Sequence, residues 1–255
     1  ARLIFLRAHT RHTTTPAASP ARHTPVATRR VTDAPTRMFH WLFALCFVGA
    51  YATADGERWR LLHVTLGYTL AGLLGFRVLY GLVGPQHARL SLLWRKVNGL
   101  PKWLRSFKPA AGQALLADVN WRQGQNLAMA GAVVLLMALV LPLTLSGYAT
   151  YNEWGGEWLE EVHEFVGEWF LWAVLAHLAL LLGLSLLRRK NQALPMLTGR
   201  IEGKGPDFAK GNHAWLAGLL LVAVLGYWAW EWQQAPTVAA SSSWTARHHG
   251  DGDDD

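Results

Sequence analysis

Residues 161–190 read EVHEFVGEWFLWAVLAHLALLLGLSLLRRK, a long apolar run that ends in three cations. A run of about 20 or more mostly apolar residues predicts a transmembrane helix. This run contains two histidines, His163 and His177, which are fourteen residues apart. At about 1.5 Å and 100° per residue, their imidazoles lie roughly 21 Å apart on nearly the same face of the helix.

A histidine inside an apolar span is costly to bury unless a partner takes its ring nitrogen, so it indicates a functional role. The spacing of His163 and His177 predicts two stacked metal-bound groups, one near each leaflet. If these groups are haems, each iron needs a second histidine from another helix. His40 and His63 are the candidates, because each lies at the beginning of another apolar run.

The composition of the chain is that of a membrane protein. Of its 255 residues, 51% are hydrophobic and 16% are charged, whereas about 25% are charged in ordinary globular proteins. Fourteen tryptophans indicate aromatic belts at two membrane interfaces. The net charge of +7 is concentrated in particular loops. No basic face interleaved with aromatic residues lies outside the apolar runs, so no nucleic-acid binding is expected.

Cys46 is the single cysteine of the chain. One cysteine excludes an intramolecular disulfide bond, covalent haem attachment at a CxxCH motif and a thiolate metal cluster. We expect Cys46 to be a packing residue inside the first apolar run. Any haem in this chain is therefore held by histidines and not by thioether bonds.

Five apolar runs divide the chain. They predict an all-α integral membrane helical bundle, in which a four-helix di-haem core is followed by a fifth transmembrane helix. The predicted spans cover residues 37–54, 61–83, 126–148, 162–187 and 213–232. The predicted units are a flexible basic cytoplasmic tail (1–35), the four-helix core (36–203), the fifth helix (204–234) and an acidic periplasmic tail (235–255).

The charges of the connecting segments alternate in sign. The N-terminal tail and residues 85–125 and 188–212 are basic, whereas residues 150–161 are acidic. The positive-inside rule therefore places the N-terminus in the cytoplasm and the C-terminus in the periplasm, with five crossings of the bacterial inner membrane. Residues 90–107 form an amphipathic, tryptophan-bearing pattern that is typical of a helix in the membrane interface.

This orientation decides which histidines meet. His40 lies near the inner end of the first span and His63 near the outer end of the second. The fourth span places His163 at the outer side and His177 at the inner side. His63 therefore pairs with His163, and His40 pairs with His177. Each histidine alone is also compatible with a position among the lipid headgroups, but four of them in two pairs favour metal ligation.

Arg77 follows His63 by fourteen residues and so reaches the depth of the inner histidine pair. An arginine inside a span needs a counter-charge, which a haem propionate supplies. The alternative is that its side chain extends to the inner membrane surface. His87 and His213 show no evident partner in the sequence and are left out of the site.

Several short motifs occur together in this chain: RMFHW at 37–41, His63 with Gly67-Tyr68, Arg77 with Gly81 and Gly84, Gly147-Tyr148, His163-Glu164, His177 and LPMLTGR at 194–200. As a set, they resemble the bacterial di-haem cytochrome b family, which includes cytochrome b-561 and the b-type subunit of membrane-bound nickel–iron hydrogenases. The resemblance covers residues 33–203. It implies two non-covalent b haems with ligands on helices one, two and four, which agrees with the pairing above.

Two imidazoles per iron fill both axial positions, so such a haem transfers single electrons and leaves no position for a substrate. The resemblance implies transmembrane electron transfer between the membrane quinone pool and a periplasmic redox partner such as a c-type cytochrome. The alternative is a membrane-anchor subunit that passes electrons from a hydrogenase or another dehydrogenase to quinone. A histidine-lined metal transporter is disfavoured because the spans between the histidines are apolar.

Some features remain open in the sequence. The acidic segment 150–161 and the acidic tail suit the docking of a basic partner. The alternative is that both are ordinary outer segments without a docking role. Gly67 and Gly131 are candidates for the close approach of a porphyrin to the backbone, or for close helix packing. The sequence fixes neither the direction of electron flow, nor the oligomeric state, nor whether the chain is itself the quinone-reactive subunit of an enzyme.

Overall fold

The computed structural model describes residues 27–107 and 119–234. Most of the predicted basic tail and the whole predicted acidic tail lie outside these residues. The elements in chain order are β1 (Thr28–Arg30), α1 (Ala34–Ala52), α2 (Arg60–Val83), α3 (Leu90–Val97), α4 (Leu100–Arg105), α5 (Trp121–Tyr151), α6 (Glu157–Arg188), α7 (Leu194–Leu197), β2 (Arg200–Glu202) and α8 (Ala214–Gln234).

Four of the described helices, α2, α5, α6 and α8, are long and apolar enough to cross a membrane. The predicted all-α membrane bundle is thereby confirmed. Helix α1 has 19 residues and does not belong to this group, so length and composition alone do not support the first of the five predicted crossings. Its first two turns carry Arg37 and His40, which lower its hydropathy.

The fifth long helix is an integral part of the bundle. Buried side chains of α1, α2 and α8 form one apolar cluster, and Trp228 Nε1 of α8 donates a hydrogen bond of 2.9 Å to Thr69 Oγ1 of α2. Cys46 is fully buried in this cluster, as expected for a packing residue. The buried members of the cluster are Leu42, Cys46, Ala50, Leu66, Leu70, Leu73, Leu220 and Val224.

Helices α5 and α6 form a hairpin that packs beside α1 and α2. The connection between them is short, and Glu153 (φ +55°) and Gly156 (φ +73°) both take left-handed backbone conformations in it. Helix α6 has 32 residues and is about 48 Å long, whereas the hydrocarbon core is about 30 Å thick. It therefore extends beyond the core, so the eleven residues between His177 and Arg188 do not all have to lie inside the core.

The first described elements begin before the predicted core boundary at residue 36. Strand β1 pairs antiparallel with β2, with Thr28 opposite Glu202, and α1 begins at Ala34 with Asp33 as its N-cap. This two-stranded ladder holds the beginning of α1 against the segment that follows α6. Three-residue strands are too short to show an alternating pattern, so the sequence did not predict them.

The basic connection between α2 and α5 forms two short helices, α3 and α4, in place of the single amphipathic helix that the pattern predicted. Trp103 of α4 donates a hydrogen bond of 3.2 Å to the backbone oxygen of Asn120, which is the N-cap of α5. Helix α5 begins at Trp121, five residues before the predicted span. The basic loops, the strand pair and α7 all lie at one end of the bundle.

Candidate functional site

His63 and His163 lie next to each other at the end of the bundle opposite to the basic loops. Their ring centroids are 6.0 Å apart, and the ring planes are nearly perpendicular, at 86°. With metal–nitrogen bonds of about 2 Å, two imidazoles on opposite sides of one metal atom have centroids about 6 Å apart. The distance between this outer pair therefore fits one shared metal.

Backbone carbonyl oxygens favour one tautomer of both outer rings. His63 Nδ1 lies 2.8 Å from the carbonyl oxygen of Ala50, and His163 Nδ1 lies 3.1 Å from that of Leu143. Because a carbonyl oxygen only accepts, Nδ1 of each neutral ring carries the proton, and Nε2 keeps its lone pair. This is how a metal-bound histidine is usually oriented by its outer partner.

His40 and His177 form the inner pair in a different way. The Nδ1 atom of each ring is buried and has no hydrogen-bond partner among the described residues. The two imidazoles lie within electrostatic reach of each other. A buried polar atom without a partner costs about 1–3 kcal/mol, so both rings have a nitrogen that a bound group can satisfy.

An aromatic layer separates the two histidine pairs. Phe170 of α6 is seven residues from each of its histidines and is 1% exposed. Its ring centroid lies 4.9 Å from that of Phe47 and 6.4 Å from that of Phe43, both on α1. The two pairs are thus distinct sites with apolar side chains between them.

Gly67 of α2 and Gly131 of α5 face open space. A Cβ atom added at Gly67 or at Gly131 would meet no atom within 4 Å. Close helix packing therefore does not explain these two glycines, and the approach of a porphyrin to them stays a prediction.

Arg77 is buried, with 8% of its surface exposed. Its Nη1 donates a hydrogen bond of 3.0 Å to the carbonyl oxygen of Ala88, and the carboxylate of Asp33 lies close enough to act on its charge. The side chain is turned into the α2–α3 connection and does not extend to the surface. The protein thus supplies part of its counter-charge, which the sequence did not show.

Asp33 is fully buried at the end of the bundle that carries the basic loops. Its carboxylate accepts hydrogen bonds from the backbone N–H of Thr36, from Tyr80 Oη and from His87 Nε2 at 2.8 Å. Burial raises the pKa of Asp33, but these hydrogen bonds outweigh burial and hold the pKa below its ordinary value. The prediction that His87 has no partner is therefore wrong, because its partner lies 54 residues earlier in the chain.

Among the residues that the structure describes, no group of three or more His, Cys, Asp and Glu side chains is placed to hold a metal ion. Two imidazoles alone are a weak metal site, whereas an iron porphyrin brings four nitrogens of its own and needs only two axial ligands. The donor set of each pair therefore fits a haem. A family model described as prokaryotic cytochrome b561 matches residues 31–199, which contain all four histidines.

The chain belongs to the prokaryotic cytochrome b561 family. No curated protein and no solved structure matches it. The cytochrome is a multi-pass membrane protein that binds b-type haem and transfers electrons across the membrane, as its family and its four membrane-crossing helices show.

Gly147 of the cytochrome lies directly against His163. A Cβ atom at this position would be 2.8 Å from His163 Cε1 and 3.1 Å from Nδ1. We expect Gly147→Ala to push the ring away from the Leu143 carbonyl, with an overpacking cost of about 1–3 kcal/mol and a shifted or diminished haem absorption band. Absorption spectroscopy and thermal unfolding of the purified protein measure both effects.

Gly218→Ala is the matched control, because a Cβ at Gly218 of α8 meets no atom within 4 Å. It places the same methyl group on a membrane helix away from the histidines. An unchanged spectrum in Gly147→Ala would show that His163 does not hold the haem in the observed orientation.

Proposed function

We propose that this cytochrome passes electrons between the membrane quinone pool and a periplasmic redox partner through two b haems, each held by two histidines. The outer iron is ligated by His63 and His163, and the inner iron by His40 and His177. The observation that carries the proposal is the outer pair, since its rings are 6.0 Å apart and each directs its protonated Nδ1 at a carbonyl oxygen.

The bound haem supplies one-electron redox chemistry, and the residues of the chain prepare the site for it. The Ala50 and Leu143 carbonyls hold the outer imidazoles in one tautomer. Two histidines for each haem would leave its iron no open position for oxygen or a substrate. The aromatic layer at Phe170 keeps the space between the two sites apolar, which excludes water from the path between them.

Arg77 belongs to the same proposal. One of its five N–H groups is used by the Ala88 carbonyl, which leaves others for an acidic partner. A haem held by His40 and His177 would bring acidic propionates, and Arg77 would pair with one of them. Asp33 supplies only part of the counter-charge of this buried guanidinium, so an acidic cofactor group beside it is favourable.

The proposed orientation in the membrane follows from the position of the basic loops, which lie together at one end of the bundle. The segments that carry Arg89–Arg105 and Arg188–Lys210 lie at the same end of the bundle as the beginning of α1. We place this end in the cytoplasm of a bacterium, at the inner membrane, with the C-terminus in the periplasm. The opposite end carries the exposed carboxylates of Glu153, Glu157, Glu160 and Glu161.

These outer carboxylates favour a basic periplasmic partner such as a c-type cytochrome, because complementary charge speeds the encounter of two proteins. A hydrogenase or another dehydrogenase that donates electrons at the same end is the second candidate. The direction of electron flow separates the two. In the first case the partner is reduced by the haems, and in the second it reduces them.

We expect the purified, haem-replete cytochrome to contain two non-covalent b haems per chain. A soluble quinol should reduce them, and added oxidised c-type cytochrome should then reoxidise them. Pyridine-haemochrome quantitation counts the haems, and reduced-minus-oxidised spectra follow the electrons.

One haem per chain, or none, would contradict the two-site proposal. If the protein contains two haems but a quinol does not reduce them, the proposed ligands stand and quinol is excluded as the electron donor. Haems that quinol reduces but that c-type cytochrome leaves reduced favour the dehydrogenase-anchor alternative.

A further inference from the structure

A basic cavity lies between α3 and the first turns of α5, apart from the four histidines. Its volume is about 460 Å³. Three cations line it together with three amide side chains, and no carboxylate is among the lining residues. These side chains are Arg95, Lys96, Arg122, Asn120, Gln123 and Asn126.

Within residues 27–107 and 119–234, no salt bridge involves Arg95, Lys96 or Arg122. A further cation lies beside them, since Arg188 donates to Asn126 Oδ1 at 3.0 Å and to Gln125 Oε1. Because Arg188 is bonded to neutral amides, it adds to the positive charge of the cavity. Mutual repulsion of these charges is relieved by a bound anion.

The cavity is built into the fold. Trp103 of α4 packs against Gly124 of α5 so closely that a Cβ at this glycine would be 2.5 Å from the indole ring. The same indole donates a hydrogen bond to the Asn120 backbone. Helix α4 is thereby packed on α5, next to the contacts of α3 with α5 that form the two walls of the cavity.

The surroundings of the cavity are those of a membrane interface. Trp94 and Leu104, on the two short helices, are 64% and 51% exposed. Exposed apolar side chains next to cations, at the end of membrane-crossing helices, are typical of the headgroup region of a bilayer. An anion that occupies the cavity therefore meets apolar side chains beside it.

We propose that this cavity binds the phosphate headgroup of an anionic phospholipid. The cations and amides contact the headgroup, and the exposed Trp94 and Leu104 contact its acyl chains. Free phosphate shares the first set of contacts but cannot make the second. This site is independent of the haems and goes beyond electron transfer, because it assigns a lipid ligand to the basic end of the cytochrome.

The test compares two triple variants of the full-length, haem-replete protein. Arg95→Gln/Lys96→Gln/Arg122→Gln removes the cavity charges, and Lys102→Gln/Arg105→Gln/Lys210→Gln removes three exposed cations outside the cavity. We expect the first to retain phosphatidylglycerol about tenfold less strongly in native mass spectrometry. The second variant and the binding of phosphatidylcholine should be nearly unchanged. The haem absorption band reports that each variant is folded.

A conservative variant completes the design. Arg95→Lys/Arg122→Lys keeps the charges and should keep most of the phosphatidylglycerol binding. Should the cavity triple lose its haem band, the single Arg122→Gln variant carries the same comparison, with an expected loss of about threefold.

If both triple variants lost phosphatidylglycerol binding equally, the lipid would be held by diffuse attraction to the basic surface and not by the cavity. Unchanged retention in the cavity triple would overturn the site. Inorganic phosphate that binds as tightly as phosphatidylglycerol would show that acyl chains make no contribution, and would overturn the assignment to a lipid.

Discussion

The His163→Ala variant is expected to lose one haem and keep the other. The haem content should fall from two to about one per chain, because the outer iron loses an axial ligand while His40 and His177 are untouched. His177→Ala should also retain one haem, but the opposite one. The two remaining haems differ in environment, so their potentials and low-temperature absorption maxima should differ between the two variants.

Pyridine-haemochrome quantitation and a redox titration of each variant measure these outcomes. His213→Ala is the control, since it removes an imidazole that belongs to neither pair, and it should retain two haems. The pairing is wrong if both variants lose the same haem. Two haems in either variant would exclude the altered histidine as a ligand.

Helix α6 shows how much of the site can be predicted from the sequence. A long apolar run and a fourteen-residue spacing predict a helix with His163 and His177 on one face, because the helical repeat leaves no other arrangement. The helix is present from Glu157 to Arg188. The same repeat places Phe170 on that face, midway between the histidines, where the structure finds it buried. The length of the apolar run and its helical periodicity were sufficient to predict this helix and the residues that share its face.

The hydrogen-bond partners of the histidine rings could not be predicted from the sequence. His63 and His163 are oriented by the carbonyls of Ala50 and Leu143, and every residue offers a carbonyl. Only the packing of α1 on α2 and of α5 on α6 decides which carbonyl is in reach. Sequence patterns therefore predict ligands, whose residue types are rare in a membrane, but not the backbone groups that orient them.

The first helix shows a different limit. Its predicted span, 37–54, lies close to the observed Ala34–Ala52, yet α1 is not apolar enough to be recognised as a crossing by composition. It packs against α2 and α8, so neighbouring helices cover part of its surface. A helix in this position tolerates the polar groups of Arg37 and His40 better than a helix that faces lipid on all sides.

Asp33→Ala is expected to lower the free energy of unfolding by about 3 kcal/mol. Without the carboxylate, Tyr80 and His87 lose their acceptor, at about 1–3 kcal/mol for each unsatisfied buried group, and loss of the helix cap contributes about 1 kcal/mol. Repacking around the smaller side chain offsets part of this. Asp33→Asn keeps an acceptor for the Thr36 N–H and should cost less, because it loses only the charge that His87 and Tyr80 contact.

The pH dependence follows from the lowered pKa of Asp33. The ordinary value of this carboxyl is 3.8, and its pKa in the folded protein is lower. Its stabilising contribution is therefore complete above about pH 5, where the carboxyl is ionised in both states. The contribution is lost as the pH falls through 3.8 and then through the folded pKa. Asp33→Ala should consequently differ most from the native chain near neutral pH and converge with it in acid.

Thermal unfolding in detergent between pH 3 and pH 7 measures this difference. Asp55→Ala is the control, since Asp55 is an exposed carboxylate in the α1–α2 connection, and surface changes of this kind alter stability by about 0.5 kcal/mol or less. A constant difference between Asp33→Ala and the native chain at all pH values would assign the loss to packing alone. Because Asp33 lies outside both histidine pairs, Asp33→Ala should keep two haems while it melts earlier, which separates the stability of the inner end from haem ligation.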